Sequence, residues 1–261
     1  MNIMNLCIVI FVPFCASILT FFSGFGLGTI LLPAFAILFP IEIAIAMTAI
    51  VHFLNNVFKL ILLGTRADKL VIVRFGIPAV VASFAGAGLL TLLSHHQPIF
   101  SYKISDKLHH IFLLNLVVGI LMIFFAVWEL MPRPSSLRIG KKYLPLGGAL
   151  SGFFGGLSGH QGAFRSAFLL KLSLSKEAFI ATGVVVACGV DLVRLLVYGF
   201  GTRTSWAPSE NMLSLALAIV SAWAGGWIGR KTLHLTTHKA IQLIVGYLLM
   251  VFGILIASGI I

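Results

Sequence analysis

Between Ser151 and Leu172 the chain reads SGFFGGLSGHQGAFRSAFLLKL, and this apolar run carries a histidine, a glutamine and an arginine: His160, Gln161 and Arg165. An arginine at bilayer depth costs about 2.5 kcal/mol or more, so it marks a functional site by default. Its guanidinium is a rigid fork of donors that matches an oxyanion. Gly155, Gly156, Gly159 and Gly162 flank the histidine. Each costs about 1 kcal/mol relative to Ala inside a helix, and the cluster predicts that the chain unwinds there. A short helix over about 163–172 then restarts, with its free N–H groups and positive dipole end facing a cavity. This is chemistry for holding an anion. The expected contacts are Arg165, His160 and Gln161 with the backbone at Gly159 and Gly162, joined by Gly24, Gly26 and Gly28 from a second glycine-rich break.

Each of these residues also has a plainer reading. Arg165 can snorkel to the surface or cap a neighbouring half-helix, and His160 can satisfy unwound backbone. The glycines can serve close helix packing. His160 can also change charge near neutral pH and tie binding to protons. A second polar set lies elsewhere: His52, Asn55, Asn56 and Lys59 share one helical face, which either lines a path or glues helices together. Asp191 and Arg194 stand three apart, the spacing of a local ion pair. Asp191 carrying a coupling proton or pairing with Arg165 is the alternative. Glu42 and Glu177 open equivalent helices, where a carboxylate caps the dipole.

The pattern argues against catalysis. Ser158 with His160 is the one pair resembling a nucleophile and base, and two residues apart in an unwound loop they have no assured geometry. There is no HExxH and no GxxxxGK[ST] run, so neither a metalloprotease nor a nucleotide-driven pump is expected. Cys7, Cys15 and Cys188 lie in apolar segments without ligand spacing. No metal and no cofactor are expected.

What must position these residues is a set of membrane helices. The 261 residues are 59% hydrophobic and 10% charged, with a mean hydropathy of +1.09. Apolar segments follow at about 3–22, 29–39, 43–63, 71–93, 111–131, 144–157, 163–172, 179–199, 212–229 and 240–261. Those at 29–39 and 163–172 are half the ~20 residues needed to span and follow glycine-rich breaks, so they read as half-helices of hairpins. Asn56 to Gly64 (NVFKLILLG) parallels Asp191 to Gly199 (DLVRLLVYG) at an offset of 135, with Glu42 on Glu177, and the order of further matches indicates a duplication.

The net charge of +11 sits in short loops, which the positive-inside rule explains without nucleic acid. With the loop of Arg133, Arg138, Lys141 and Lys142 cytoplasmic, Arg66, Lys69, Arg74, Lys171, Lys176, Arg230, Lys231 and Lys239 fall on the same side. Only Lys103, Lys107 and Arg203 fall outside. The first apolar run has no basic residue ahead of it, which disfavours a cleaved signal peptide and fits an outward start. The expectation is an all-α polytopic membrane protein of two inverted-topology repeats, each a broken-helix hairpin followed by three transmembrane helices. Residues 1–131 form the first repeat, 132–143 a cytoplasmic linker and 144–261 the second, with both termini extracytoplasmic. The lipid bilayer is the surrounding, a small anion the substrate, and a homodimer is left open. A passive anion channel of the same architecture is the alternative to a carrier.

The stretches GFGLGTILLPAF, GGLSGHQGAFRSAFLL and KEAFIATGVVVACGVDLVRLLVYG together resemble the TauE/SafE family of sulfite exporters, also called the toluenesulfonate uptake permease family. The resemblance covers nearly the whole chain and is most specific in the second half. It implies a transporter of the bacterial inner membrane for sulfur-containing anions such as sulfite, sulfoacetate or other organosulfonates. One departure is Phe25 and Leu27 inside the first glycine motif, where they would narrow the outer half of the pocket.

Overall fold

The computed structural model describes residues 3–21, 26–94, 97–104, 106–131, 140–172, 174–201, 208–231 and 238–261. Gly24, Phe25, Arg133, Arg138 and Arg203, with most of the 132–143 linker, lie outside the described residues. Among the described residues ten helices follow one another. The first five are α1 (Ile3–Thr20), α2 (Leu27–Ala36), α3 (Ile41–Leu63), α4 (Lys69–Leu93) and α5 (Leu113–Leu130). The second five are α6 (Leu144–Ser158), α7 (Gln161–Leu169), α8 (Lys176–Gly201), α9 (Pro208–Lys231) and α10 (His238–Ala257). Helices α1, α3, α4, α5, α8 and α9 are long and apolar enough to cross a membrane, while α2 and α7, of 10 and 9 residues, reach halfway.

The halves interlock with a two-fold exchange. If α1 to α5 are matched in order with α6 to α10, the pairing of α1 with α9 has its counterpart in α4 with α6. Likewise α3 with α9 mirrors α4 with α8, and α2 with α10 mirrors α5 with α7. Matched helices also pack on each other, α3 on α8 and α5 on α10. Both self-pairs run antiparallel: Gly119 meets Ala257 while Leu130 meets Gly246, and the Asp68 amide donates to Thr182 while His52 meets Asp191. Antiparallel equivalents are what an axis in the membrane plane produces, so the repeats are inverted.

Small residues carry the swapped seams, as expected where lipid offers no hydrophobic drive between helices. Gly148, Gly152 and Gly156 lie one turn apart on α6, where a Cβ would fall 2.1, 1.8 and 2.3 Å from the carbonyl oxygens of Phe75, Ala79 and Ser83 on α4. On the matching seam, a Cβ on Gly225 of α9 would fall 2.2 Å from the Phe14 oxygen of α1. This packing corrects one sequence expectation. Gly155 and Gly156 do not unwind: α6 continues to Ser158, with Gly156 held against α4 and Gly155 against Gln161 and Val190, and the break narrows to Gly159 and His160. The sequence reading also passed over a β-hairpin between α4 and α5, β1 (Phe100–Ile104) paired antiparallel with β2 (Lys107–Ile111). Tyr102 Oη donates to the Ser258 carbonyl at 2.6 Å, which ties the hairpin to the end of α10.

Candidate functional site

Two left-handed glycines make the breaks. Gly26, before α2, has φ 104° and Gly159, before α7, has φ 83°, a conformation that only glycine adopts at little cost. Beyond Gly159 the chain folds back, and Ser151 Oγ of α6 donates to the Gln161 carbonyl at 2.8 Å. The two breaks meet at the centre of the molecule. A Cβ on Gly28 would lie 3.6 Å from the Gly159 oxygen and 3.7 Å from His52 Cδ2.

Where α3 crosses α8, Asp191 gathers side chains from both repeats. Its Oδ2 meets His52 Nδ1 at 2.5 Å and Asn56 Nδ2 at 3.5 Å, both on α3. Its Oδ1 accepts from Gln161 Nε2 at 3.0 Å and from Arg194 Nη1 at 3.2 Å. Gln161 then passes the connection on, since its Oε1 accepts from Arg165 Nη1 at 3.1 Å. The carboxylate is fully buried, so it needs this many partners to be held there at all.

Beside this cluster lies a narrow cleft, with room for about one water molecule, lined by Thr20, Phe21, Leu27, His52, Asn56, Lys59, Arg165, Ile180 and Val184. The first six come from the first repeat and the last three from the second. Two buried basic side chains face it, Lys59 from α3 and Arg165 from α7, each 4% exposed. Lys59 Nζ stands 5.1 Å over the Phe21 ring, and Arg165 runs past Gly183, where a Cβ would sit 3.4 Å from its Nε. Basic groups outnumber acids here. Among the described residues Lys59, Arg165 and Arg194 stand around the carboxylate of Asp191. Lys59, Arg165 and Ile180 each lie one turn from the end of their helix, about 6 Å, on the side of Arg66, Lys69, Lys171 and Lys176.

Of the residues singled out from sequence, the structure joins Arg165, Gln161, His52, Asn56, Asp191 and Arg194 in one network, with the local Asp191–Arg194 ion pair among its bonds. Arg194 also lies against Gly159, with Nη2 3.1 Å from where its Cβ would be. His160 goes elsewhere: its ring stacks on Phe125 of α5 at 5.2 Å and 5°, and its Nδ1 meets Ser158 Oγ at 2.9 Å. Asn55 Oδ1 accepts from Ser17 Oγ at 3.1 Å and joins α3 to α1. Gly26 and Gly162 shape the tips without lining the cleft. Gly24 lies outside the described residues. Sequence reasoning placed Lys59 in the polar stripe and not among the anion contacts, although it is the repeat partner of Arg194. Tyr198 it missed, although 191, 194 and 198 share one helical face; this buried hydroxyl donates to the Gly156 carbonyl at 2.6 Å and lies beside Arg194 Nε.

Inverted repeats, two half-helices with their tips in contact and a basic cleft between the repeats define a protein of membrane-transporter build. A model of the sulfite exporter TauE/SafE family matches residues 9–256. The chain belongs to this family, whose members are membrane transporters of sulfite or related anions. No curated protein and no solved structure matches it.

Proposed function

We propose that the protein is a secondary transporter carrying a sulfur-containing anion, such as sulfite, sulfoacetate or another organosulfonate, across the bacterial inner membrane. The observation that carries this reading is the cleft in which Lys59 of one repeat and Arg165 of the other face the same space. With the cleft widened by a small movement of the hairpins, a sulfonate or sulfite would enter as a compact oxyanion, held by the fork of Arg165 and the point charge of Lys59. His52 and Asn56 supply further donors, and the start of α2 at Leu27 adds a helix dipole end. The orientation set by the basic loops makes the cleft open towards the cytoplasm, so this is the inward-facing arrangement. Rocking the hairpins against the α3–α8 pair, with the two-fold exchange applied, would expose the same centre to the other side. Flux of labelled sulfite and sulfoacetate into proteoliposomes tests the proposal. Saturable flux that accumulates anion under an imposed gradient and falls at least tenfold in Arg165→Ala is expected. No flux of either anion would contradict the substrate class, and ohmic currents without accumulation would make the protein a channel.

A further inference from the structure

We propose that the His52–Asp191 pair is a proton-binding site, and that the proton taken there is a co-substrate of the anion held beside it. This rests on the anion-transport reading above. The pair has three features that a structural ion pair does not need together. It bridges the two repeats across the α3–α8 crossing, with Nδ1 and Oδ2 2.5 Å apart. Both residues are buried, at 7% and 0% exposure, yet His52 lines the cleft. Imidazole is the side chain that takes up and releases a proton in the neutral range.

The hydrogen bonds say where that proton goes. In the neutral ring Nδ1–H donates to Asp191 Oδ2, and Asn56 Nδ2 lies beside the ring, 3.2 Å from Nδ1 and 3.3 Å from Nε2. The Asn56 nitrogen also donates to Asp191 Oδ2 at 3.5 Å, which keeps the amide's donor end turned to the pair. When Nε2 takes a proton it becomes a donor beside the donor amide of Asn56, and the new N–H needs an acceptor. An oxyanion in the cleft is one. The anion therefore favours the imidazolium, and the imidazolium favours the anion. Asp191 stays ionised throughout, because Oδ1 is held by Gln161 and Arg194. The only bond made is Nε2–H, its proton drawn from water on the side to which the cleft opens and returned to water on the other.

The remaining charged or titratable groups around the pair are Lys59 on α3, Arg165 on α7, and Cys188, Arg194 and Tyr198 on α8. His160 stands on the turn before α7, against Phe125. Helices α2 and α6 carry no titratable side chain. Lys59, Arg165 and Arg194 repel a further positive charge while Asp191 attracts it, and an anion in the cleft tips this balance. Their repulsion makes protonation depend on the anion, which is what coupling requires.

The test is calorimetric titration of the purified full-length protein with sulfoacetate, whose own charge is constant over about pH 6 to 8, in two buffers of different ionisation enthalpy. In the wild type, the difference in enthalpy between buffers should report proton uptake on anion binding, and affinity should fall as pH rises. In His52→Gln the uptake should vanish while weaker binding persists. Wild-type binding without proton uptake overturns the inference, as does undiminished uptake in His52→Gln. If that variant does not fold, His52→Asn is read in its place, and the wild-type count still decides. Failure of the wild type to bind sulfoacetate at all is a different result: it sinks the substrate reading, and the coupling falls with it.

Discussion

Asp191 is the residue on which the site turns, because it joins His52 and Asn56 of one repeat to Gln161 and Arg194 of the other. Removing one partner of a buried ionic cluster leaves the others desolvated and unpaired, at a cost on the order of 3 to 5 kcal/mol. Asp191→Ala should therefore lower the melting temperature of the detergent-solubilised protein sharply. Lys103→Ala, which breaks only the exposed Lys103–Asp106 pair, should leave it unchanged. Equal melting of the two variants would mean that the cluster does not hold the repeats together. The stripe of His52, Asn55, Asn56 and Lys59 was legible as a polar face from its spacing, yet not how that face divides. Asn55 and Asn56 point about 100° apart on the helix, so one reaches α1 and the other Asp191. Spacing along one helix says nothing about which neighbour stands in each direction. The same limit applies to His160, whose place against Phe125 depends on α5, far away in the chain.

At the scale of elements, the α4–α6 seam brings two backbones into contact along three turns, and its glycines leave no room for a methyl group. Gly152→Ala should force α6 away from α4, since its Cβ would overlap the Ala79 carbonyl at 1.8 Å. Gly88→Ala on α4 meets nothing within 4 Å and should be neutral or stabilising, by up to about 1 kcal/mol from helix propensity alone. Melting curves of the two variants check this; a tolerated Gly152→Ala would show that the seam is looser than described. The half-helices α2 and α7 were legible because their length and their glycines are local properties. The break is shorter than the glycines predict for a physical reason: a glycine costs helix stability only if nothing else supports the helix, and α4 packs on Gly156 while Gln161 of α7 and Val190 of α8 pack on Gly155. The hairpin of β1 and β2 escaped notice because its ten strand residues are too short and mixed to stand out beside ~20-residue apolar runs.

For the whole molecule, the inverted repeat was legible through the 135-residue offset, and the antiparallel pairing of α3 with α8 and of α5 with α10 gives that offset its geometry. The interlocking of the halves, α1 on α9 and α6 on α4, has no trace in a linear comparison, since a repeat packed within itself would carry the same offset. The basic loops predict an orientation in the membrane that is open to direct measurement. In a background lacking Cys7, Cys15 and Cys188, an impermeant thiol reagent should label Lys103→Cys in intact cells. Lys141→Cys and Lys176→Cys should react only after the membrane is opened. The reverse pattern would turn the cleft outward and with it the direction in which the anion first meets Lys59.

The central claim is that Lys59 and Arg165 hold one anion between the repeats. It is tested most directly by measuring the melting temperature of purified wild type, Lys59→Ala and Arg165→Ala with sulfite, sulfoacetate, taurine, thiosulfate, sulfate and phosphate. A ligand at 100 times its Kd adds about 2.7 kcal/mol to the folded state. At least one sulfur oxyanion should raise the wild-type melting temperature, and each substitution should abolish that rise while leaving the protein folded. A rise of equal size in both variants would place the anion elsewhere and contradict the account.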